Sequence, residues 1–223
     1  MKKLLFALAA TSLLFASNSH HKPKKNTKKH HKVHKNKKIN NTSTQTSPLS
    51  QAEVDELIFT REEEKLARDV YITLYNKWNL KIFSNISKSE QKHMDAIKKM
   101  LDKYNLPDPI ESTGDVVGVF VNQDIQELYH KLIELGSKSK IDALKVGATI
   151  EDLDINDIEH AIENATHSDI INVYENLQKG SRNHLRAFYS QLVKNGSDYE
   201  PKYISEDYFE YIISTPWERG RVK

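Results

Sequence analysis

Four long stretches of this sequence place apolar residues at steps of three and four, and each breaks its own pattern near the middle. The first runs Leu57, Thr60, Glu64, Ala67, Tyr71, Leu74, Trp78, and the second Ile86, Glu90, His93, Ile97, Met100, Tyr104. The third runs Ile141, Leu144, Ala148, Glu151, Ile155, Ile158, Ile162, and the fourth Ile170, Val173, Leu177, Ser181, His184, Phe188, Gln191. That spacing traces one face of an α-helix, so Glu64, Glu90 with His93, Glu151 and His184 sit on the seams that face the core. Any one of them alone is unremarkable, since a single mid-seam histidine is more often a hydrogen-bonded core residue than a ligand. Four helices with the same intrusion at similar depth are harder to dismiss. Buried carboxylates repel one another and titrate upward unless cations neutralise them. Two divalent ions bridged by carboxylates solve that problem and leave positions open for oxygen or water.

The same periodicity sets the fold class, all-α, with few of the 7 Gly and 6 Pro interrupting the helical stretches. Ser50 and Glu53 read as an N-cap and its capping-box partner, opening a helix that ends near Trp78. A second helix covers about 84–105 and stops at Leu106-Pro107-Asp108-Pro109. A long crossover to Val121 follows, with one short extended piece at Val116-Val117, and then a short helix over about 124–135 ended by Gly136. The third long helix spans about 139–164, where Gly147 weakens the pattern and a break is the alternative. The fourth spans about 168–194, with a kink or a close approach expected at Gly180. A short helix or arm over 199–217 should cover the bundle through Tyr203, Tyr208, Phe209, Tyr211 and Ile212. Glu62 and Glu63 read as a solvated face. Tyr71 reads as core with its hydroxyl satisfied nearby; the alternative is that it quenches radicals or hydrogen-bonds a ligand. Arg68, Arg182 and Arg186 read as flank charges that neutralise an acidic core, or as holders of a site carboxylate.

Charge divides the chain. Its first 50 residues hold 11 Lys and no acid, which leaves 22 Lys and Arg against all 31 Asp and Glu, a net of −9 for the remainder. The helical part is therefore acidic, and specific nucleic-acid binding is not expected of it. Residues 1–19 have the form of a secretory signal: Lys2-Lys3, an apolar run from Leu4 to Ala16, then small and polar residues. That run is short for a membrane span, which needs about 20 residues. Export to the periplasm or beyond is expected, with membrane tethering as the outcome if the signal stays uncleaved. Residues 20–49 form a Lys/His-rich linker without apolar periodicity, read as a solvated tether; the alternatives are contact with polyanions or an anionic membrane surface, and loose metal capture by His20-His21 and His30-His31. With no Cys, disulfides, thiolate zinc sites, iron–sulfur clusters and cysteine nucleophiles are excluded. Any metal site must be built from His and carboxylates, which suits iron, manganese or zinc.

The residues also resemble a known group. Glu64 with Arg68 and Tyr71, followed by the Glu-x-x-His of Glu90 and His93, is similar to the first two helices of ferritin-like di-iron proteins such as rubrerythrin. More closely, Arg61-Glu62-Glu63-Glu64-Lys65-Leu66-Ala67-Arg68-Asp69, Ser89-Glu90-Gln91-Lys92-His93-Met94-Asp95 and Gly180-Ser181-Arg182-Asn183-His184-Leu185-Arg186-Ala187-Phe188 resemble an uncharacterised ferritin-like family of bacteria and archaea. The likeness covers roughly 50–215 and leaves 216–223 as a C-terminal tail. It implies a ferritin-like four-helix bundle with a long crossover, an extra short helix and a C-terminal arm. It further implies Glu64, Glu90 and Glu151 as metal carboxylates, His93 and His184 as imidazole ligands, and a di-iron cofactor, with Mn or Zn as alternatives. One departure is visible. The fourth helix of such proteins supplies a Glu three residues before its His, and here Ser181 stands in that place. Asp154, one turn from Glu151, is the candidate substitute ligand or partner of a ligand.

Three functions follow as expectations. One is an exported oxidoreductase acting on oxygen or peroxide, or oxidising Fe(II). Another is a non-catalytic metal-binding or sequestering protein with a degenerate site. A third is a structural bundle with a vestigial site. Metal ions are the expected partners, and a homodimer is an open alternative.

Overall fold

Ser50 starts the first helix as expected. Its side chain accepts from the Glu53 N–H while the Glu53 carboxylate accepts from the Ser50 N–H, so the capping box is complete. The structure, a computed structural model, describes residues 48–222. The expected signal segment and nearly all of the basic linker lie outside the described residues. Helix α1 (Gln51–Trp78) ends at Asn79, whose φ of 52° turns the chain directly into α2 (Lys81–Lys103). Helices α4 (Lys140–Asn164) and α5 (Ser168–Lys194) are joined as closely. A short helix, α3 (Gln123–Gly136), and a last one, α6 (Glu206–Ser214), complete the set. No strand occurs among the described residues.

Contacts at the helix ends give the directions. Glu53 at the start of α1 accepts from the N–H groups of Thr166 and His167 at the start of α5. Lys103 at the end of α2 reaches Asp169 in the first turn of α5, and Tyr71 late in α1 reaches Gly147 early in α4. Hence α1 is antiparallel to α2 and α4, and α5 is antiparallel to α2 and α4. Because α2 finishes at the end opposite the start of α4, residues 104–139 must travel the length of the bundle, about 35 Å for a helix the length of α2. They do so through a 3₁₀ turn, Glu111–Thr113, and through α3, which packs on α1 and α4. The expected extended piece at Val116-Val117 is instead part of a turn-rich loop. The Lys65 ammonium holds that loop through the Val116 carbonyl, at 2.8 Å.

This crossover overturns one expectation. Every residue from Thr60 to Tyr71 is buried, including Glu62 and Glu63, which the seam analysis assigned to solvent. Periodicity identifies the one face that meets the other long helices; it carries no information about a loop that closes over the back. Partners for the wrapped charges come from that loop. Glu62 accepts from the N–H of Val121 at 2.6 Å and of Asn122. Asp69 accepts from the Gly118 N–H at 2.9 Å, and Arg61 pairs with Asp108 at 2.9 Å. Arg68 bonds Asp69, Gln91 and Asp115, so it ties down the crossover and reaches no site carboxylate. Lys65 bonds Asp69 as well and lies 4.4 Å over the Phe120 ring.

The bundle interior is layered. One apolar cluster holds Leu57, Ile97, Leu101, Ile158, Ile170 and Leu177. The other holds Leu74, Phe83, Leu144 and Leu185 around an aromatic trio, Tyr71, Phe83 and Phe188, with ring centroids 5.3–5.9 Å apart. Along α1, α2 and α5 the intruding polar residues fall between members of these two clusters, whereas on α4 Glu151 is flanked by Ile150 and Ile155, both of the aromatic cluster. Helix α4 runs unbroken through Gly147, whose missing side chain is where Phe188 sits: a Cβ there would lie 2.3 Å from the ring.

At the C-terminal end, Asp152, fully buried in α4, accepts from the Tyr199 hydroxyl and from the N–H groups of Lys202, Tyr203 and Ile204. That clamp delivers α6, which buries Phe209 and Ile212; the expected packing residue Tyr211 is instead 60% exposed. Arg182 and Arg186 bond Glu218, and Arg186 also bonds the carbonyls of Ile212 and Thr215. These two arginines therefore dock the tail against α5 and serve neither role expected for them. No helix among the described residues is long and apolar enough to cross a membrane.

Candidate metal centre

In the layer between the two apolar clusters, four helices bring five of the six expected side chains together. Glu64 comes from α1, Glu90 and His93 from α2, Glu151 from α4 and His184 from α5. They form two sets, Glu64–Glu90–His93 and Glu90–Glu151–His184, and in each set one atom per residue lies within 4.8 Å of the others. Glu90 belongs to both. Its Oε2 lies 2.9 Å from His93 Nδ1 and its Oε1 lies 2.8 Å from His184 Nδ1. Each imidazole then meets a second carboxylate through the same nitrogen, His93 with Glu64 Oε2 at 3.1 Å and His184 with Glu151 Oε2 at 3.3 Å. The two rings stack with centroids 5.5 Å apart. Glu64, Glu90 and Glu151 are 1–2% exposed, His184 5% and His93 9%.

Two orphaned atoms test whether a cation fits. Glu64 Oε1 and Glu90 Oε1 are buried and make no hydrogen bond. Glu90 Oε1 nevertheless lies 2.8 Å from His184 Nδ1, an ion-pair approach. His93 Nδ1 hydrogen bonds Glu64 Oε2 and His184 Nδ1 hydrogen bonds Glu151 Oε2, so the two free oxygens, converging with these groups, complete a donor set for a hard or borderline divalent ion. Burial of an unsatisfied carboxylate oxygen is otherwise costly.

The electrostatics agree with this arrangement. Burial lifts the Glu64 carboxyl to about 7, although His93 beside it pulls the other way. Burial raises Glu151 too, and Glu90 adds to it. Glu90 is the exception: burial would raise it, but the two imidazoles outweigh that and hold it well below the usual range. Burial alone would depress His184, yet Glu90 and Glu151 push it up to about 10, and His93 is likewise raised by Glu64 and Glu90. Protons on the imidazoles thus balance the centre when no other cation is present. A metal must displace them, so its affinity rises with pH.

Asp154, the sixth expected residue, belongs to neither set. It is buried, and its Oδ2 accepts from the Ser181 hydroxyl, the residue at the position of the absent α5 carboxylate. Tyr71 is core with its hydroxyl satisfied, as expected: its ring is fully buried and its hydroxyl donates to Glu151 Oε1, one of the candidate ligands. Sequence reasoning missed a neighbouring contact, Glu63 on α1 with Asp157 on α4, where burial raises both carboxyls. The available signal was their positions, Glu63 beside Glu64 and Asp157 one turn beyond Asp154. Gly180 is the expected close approach, and what approaches is the His93 ring.

Comparison with known proteins places the chain in a family. Residues 53–216 match the uncharacterized protein domain DUF2202, and the chain belongs to that family. It is 59% identical over 179 residues to the uncharacterized protein MJ0754 of Methanocaldococcus jannaschii, an alignment covering 80% of this chain and 96% of the relative. The crystal structure of the hypothetical protein MJ0754 from Methanococcus jannaschii is similar with a TM-score of 0.76 at 58% identity. That match covers 79% of this chain and all of that one.

Proposed function

We propose that this DUF2202 protein is a metal-binding bundle of ferritin-like type, whose two adjacent cation positions share Glu90 and serve oxygen, peroxide or Fe(II) oxidation chemistry. The observation that carries the reading is the double role of Glu90, with one oxygen toward each imidazole and a further carboxylate closing each set. The end-to-end crossover between the second and third long helices supports the ferritin-like assignment. Glu64, Glu90 and His93 would hold one ion, and Glu90, Glu151 and His184 the other. Iron fits this all-carboxylate-and-imidazole donor set; Mn and Zn fit it as alternatives. When bound, such ions supply a site where an oxidant or Fe(II) can exchange electrons. The chain's own residues do the remaining work. The apolar layers above and below keep bulk water out, Tyr71 fixes Glu151, and Glu90 sets the spacing of the two positions. Residues 1–19 fit a role outside the cytoplasm.

A second reading, metal binding or sequestration without turnover, draws on Ser181, which gives α5 one imidazole and no carboxylate. Both readings meet one experiment. The protein is titrated anaerobically with Fe(II), analysed for metal, and then exposed to oxygen and to peroxide. Two irons per chain with oxidant consumption support the first reading. Tight binding with no consumption supports the second. A protein that holds no Fe, Mn or Zn after reconstitution refutes both.

A further inference from the structure

Gly180 lies in the middle of α5, adopts no positive φ, and leaves the helix unbroken. Neither a turn nor a backbone conformation explains a glycine there, and glycine is a poor residue for a helix interior. Space explains it. A Cβ on residue 180 would stand 2.5 Å from His93 Nε2 and 2.6 Å from His93 Cε1, and the three atoms nearest to it all belong to that ring. Such distances are well inside van der Waals contact, so the ring or the helix would have to move. The ring, at the end of a flexible side chain, yields by rotating about its side-chain bonds, which withdraws Nδ1 from its place 2.9 Å from Glu90 and 3.1 Å from Glu64.

The two halves of the centre differ in how they are held. On one side the Tyr71 hydroxyl fixes Glu151, and His184 is 5% exposed. On the other, His93 is the most exposed of the five side chains, at 9%, and its outer edge rests on the notch at Gly180. We propose that Gly180 is a positioning residue: by carrying no side chain it admits the His93 ring and determines how tightly the cation position of Glu64, Glu90 and His93 is held. The other position is set by Tyr71 and is indifferent to residue 180. The inference rests on the metal-binding reading above and adds an inequality between its two positions.

The test is anaerobic Co(II) titration of the full-length protein, followed by visible absorption and calorimetry, on wild type, Gly180→Ala, His93→Ala and the double variant. Wild type should take up two Co(II) per chain. Gly180→Ala should keep one at wild-type affinity and bind the other at least about tenfold more weakly, the size of effect typical when support of a metal ligand is lost. His93→Ala should show the same deficit, and the double variant should add nothing to it, because the two residues act through one ring. Should Gly180→Ala fail to fold, the double variant, freed of the clashing ring, should recover the wild-type far-UV spectrum. Unaltered binding of both ions by Gly180→Ala overturns the proposal and leaves the metal-binding reading intact. So does a double variant that loses much more than His93→Ala alone, or one that remains unfolded. Failure of the wild type to bind Co(II) overturns the underlying reading itself.

Discussion

Glu90→Gln is the sharpest perturbation of the centre, because it changes the charge of the one residue shared by both sets and almost nothing of its volume. Without metal, Glu90 lies 2.9 Å from the imidazole of His93 and 2.8 Å from that of His184, all three buried. Removing one partner of a buried charge pair costs about 3–5 kcal/mol, since the other charge remains desolvated. A domain of this size shifts its melting midpoint by about 2–4 °C per kcal/mol, so the metal-free variant should melt about 6–20 °C below wild type. The loss should be greatest near pH 6, where the imidazoles carry protons, and should shrink as the pH approaches 10, where His184 of the wild type releases its own. Scanning calorimetry in chelator at several pH values gives this half of the test. Inductively coupled plasma analysis after reconstitution gives the other half: both ions should be lost together, because neither position keeps its full donor set. A variant that retains one ion at wild-type affinity would refute the bridging role. One that melts like wild type in chelator would refute the claim that Glu90 neutralises both imidazoles.

Glu53→Gln tests a contact away from the centre. Burial would raise the Glu53 carboxyl, but His167, the Thr166 N–H and Ser50 outweigh it and hold it well below its ordinary 4.5. A depressed folded pKa stabilises above the unfolded value and is lost as pH falls through the folded one, so the wild-type advantage should be about 2–3 kcal/mol at pH 7. In urea unfolding that advantage should hold down to about pH 5 and diminish steadily below pH 4. Arg182→Ala with Arg186→Ala should expose the tail around Glu218 to limited proteolysis while leaving metal content unchanged; a loss of metal would restore a site role to these arginines. Asp154→Asn keeps size and the Ser181 contact and should weaken one of the two ions about tenfold or more in calorimetry. An unaltered isotherm would make Asp154 a bystander.

What the sequence made legible followed from one regularity. Steps of three and four placed Glu64, Glu90, His93, Glu151 and His184 on inward seams, and the fold brings those five together because four seams can only meet at one axis. The α5 boundaries and the Ser50–Glu53 capping box were equally plain, being local chemistry. Illegible features belong to segments whose path no period describes. Glu62 is buried by a crossover that arrives from 60 residues further along with backbone N–H groups that need acceptors, and Glu63 is buried against Asp157 of α4. Arg182 and Arg186 looked like companions of an acidic core because their partner, Glu218, lies beyond any helical neighbourhood. Gly180 showed that something approaches, without showing that it was His93.

On the ferritin-like reading proposed above, the carboxylate missing from α5 would be supplied from the helix beside it. Ser181 stands where a glutamate would project inward, and Asp154, one turn from Glu151 on α4, turns its Oδ2 to the Ser181 hydroxyl. Among the charges that raise the Asp154 carboxyl after burial itself, Glu64 comes first and Glu151 second, so this acid faces both halves of the centre. Its bond to Ser181 is not a commitment. The same hydroxyl lies 3.1 Å from the Leu177 carbonyl, a second acceptor on its own helix. If Asp154 turned toward a cation, the hydroxyl could rotate to Leu177 and no buried donor would be stranded, which would remove the usual cost of breaking such a contact. Serine is therefore more than a vacancy on α5. On the proposed metal-binding reading, a side chain that can release its acid at little cost would let Asp154 join the three glutamates and two histidines as a sixth ligand residue, whereas an apolar residue at 181 would leave Asp154 without its hydroxyl partner.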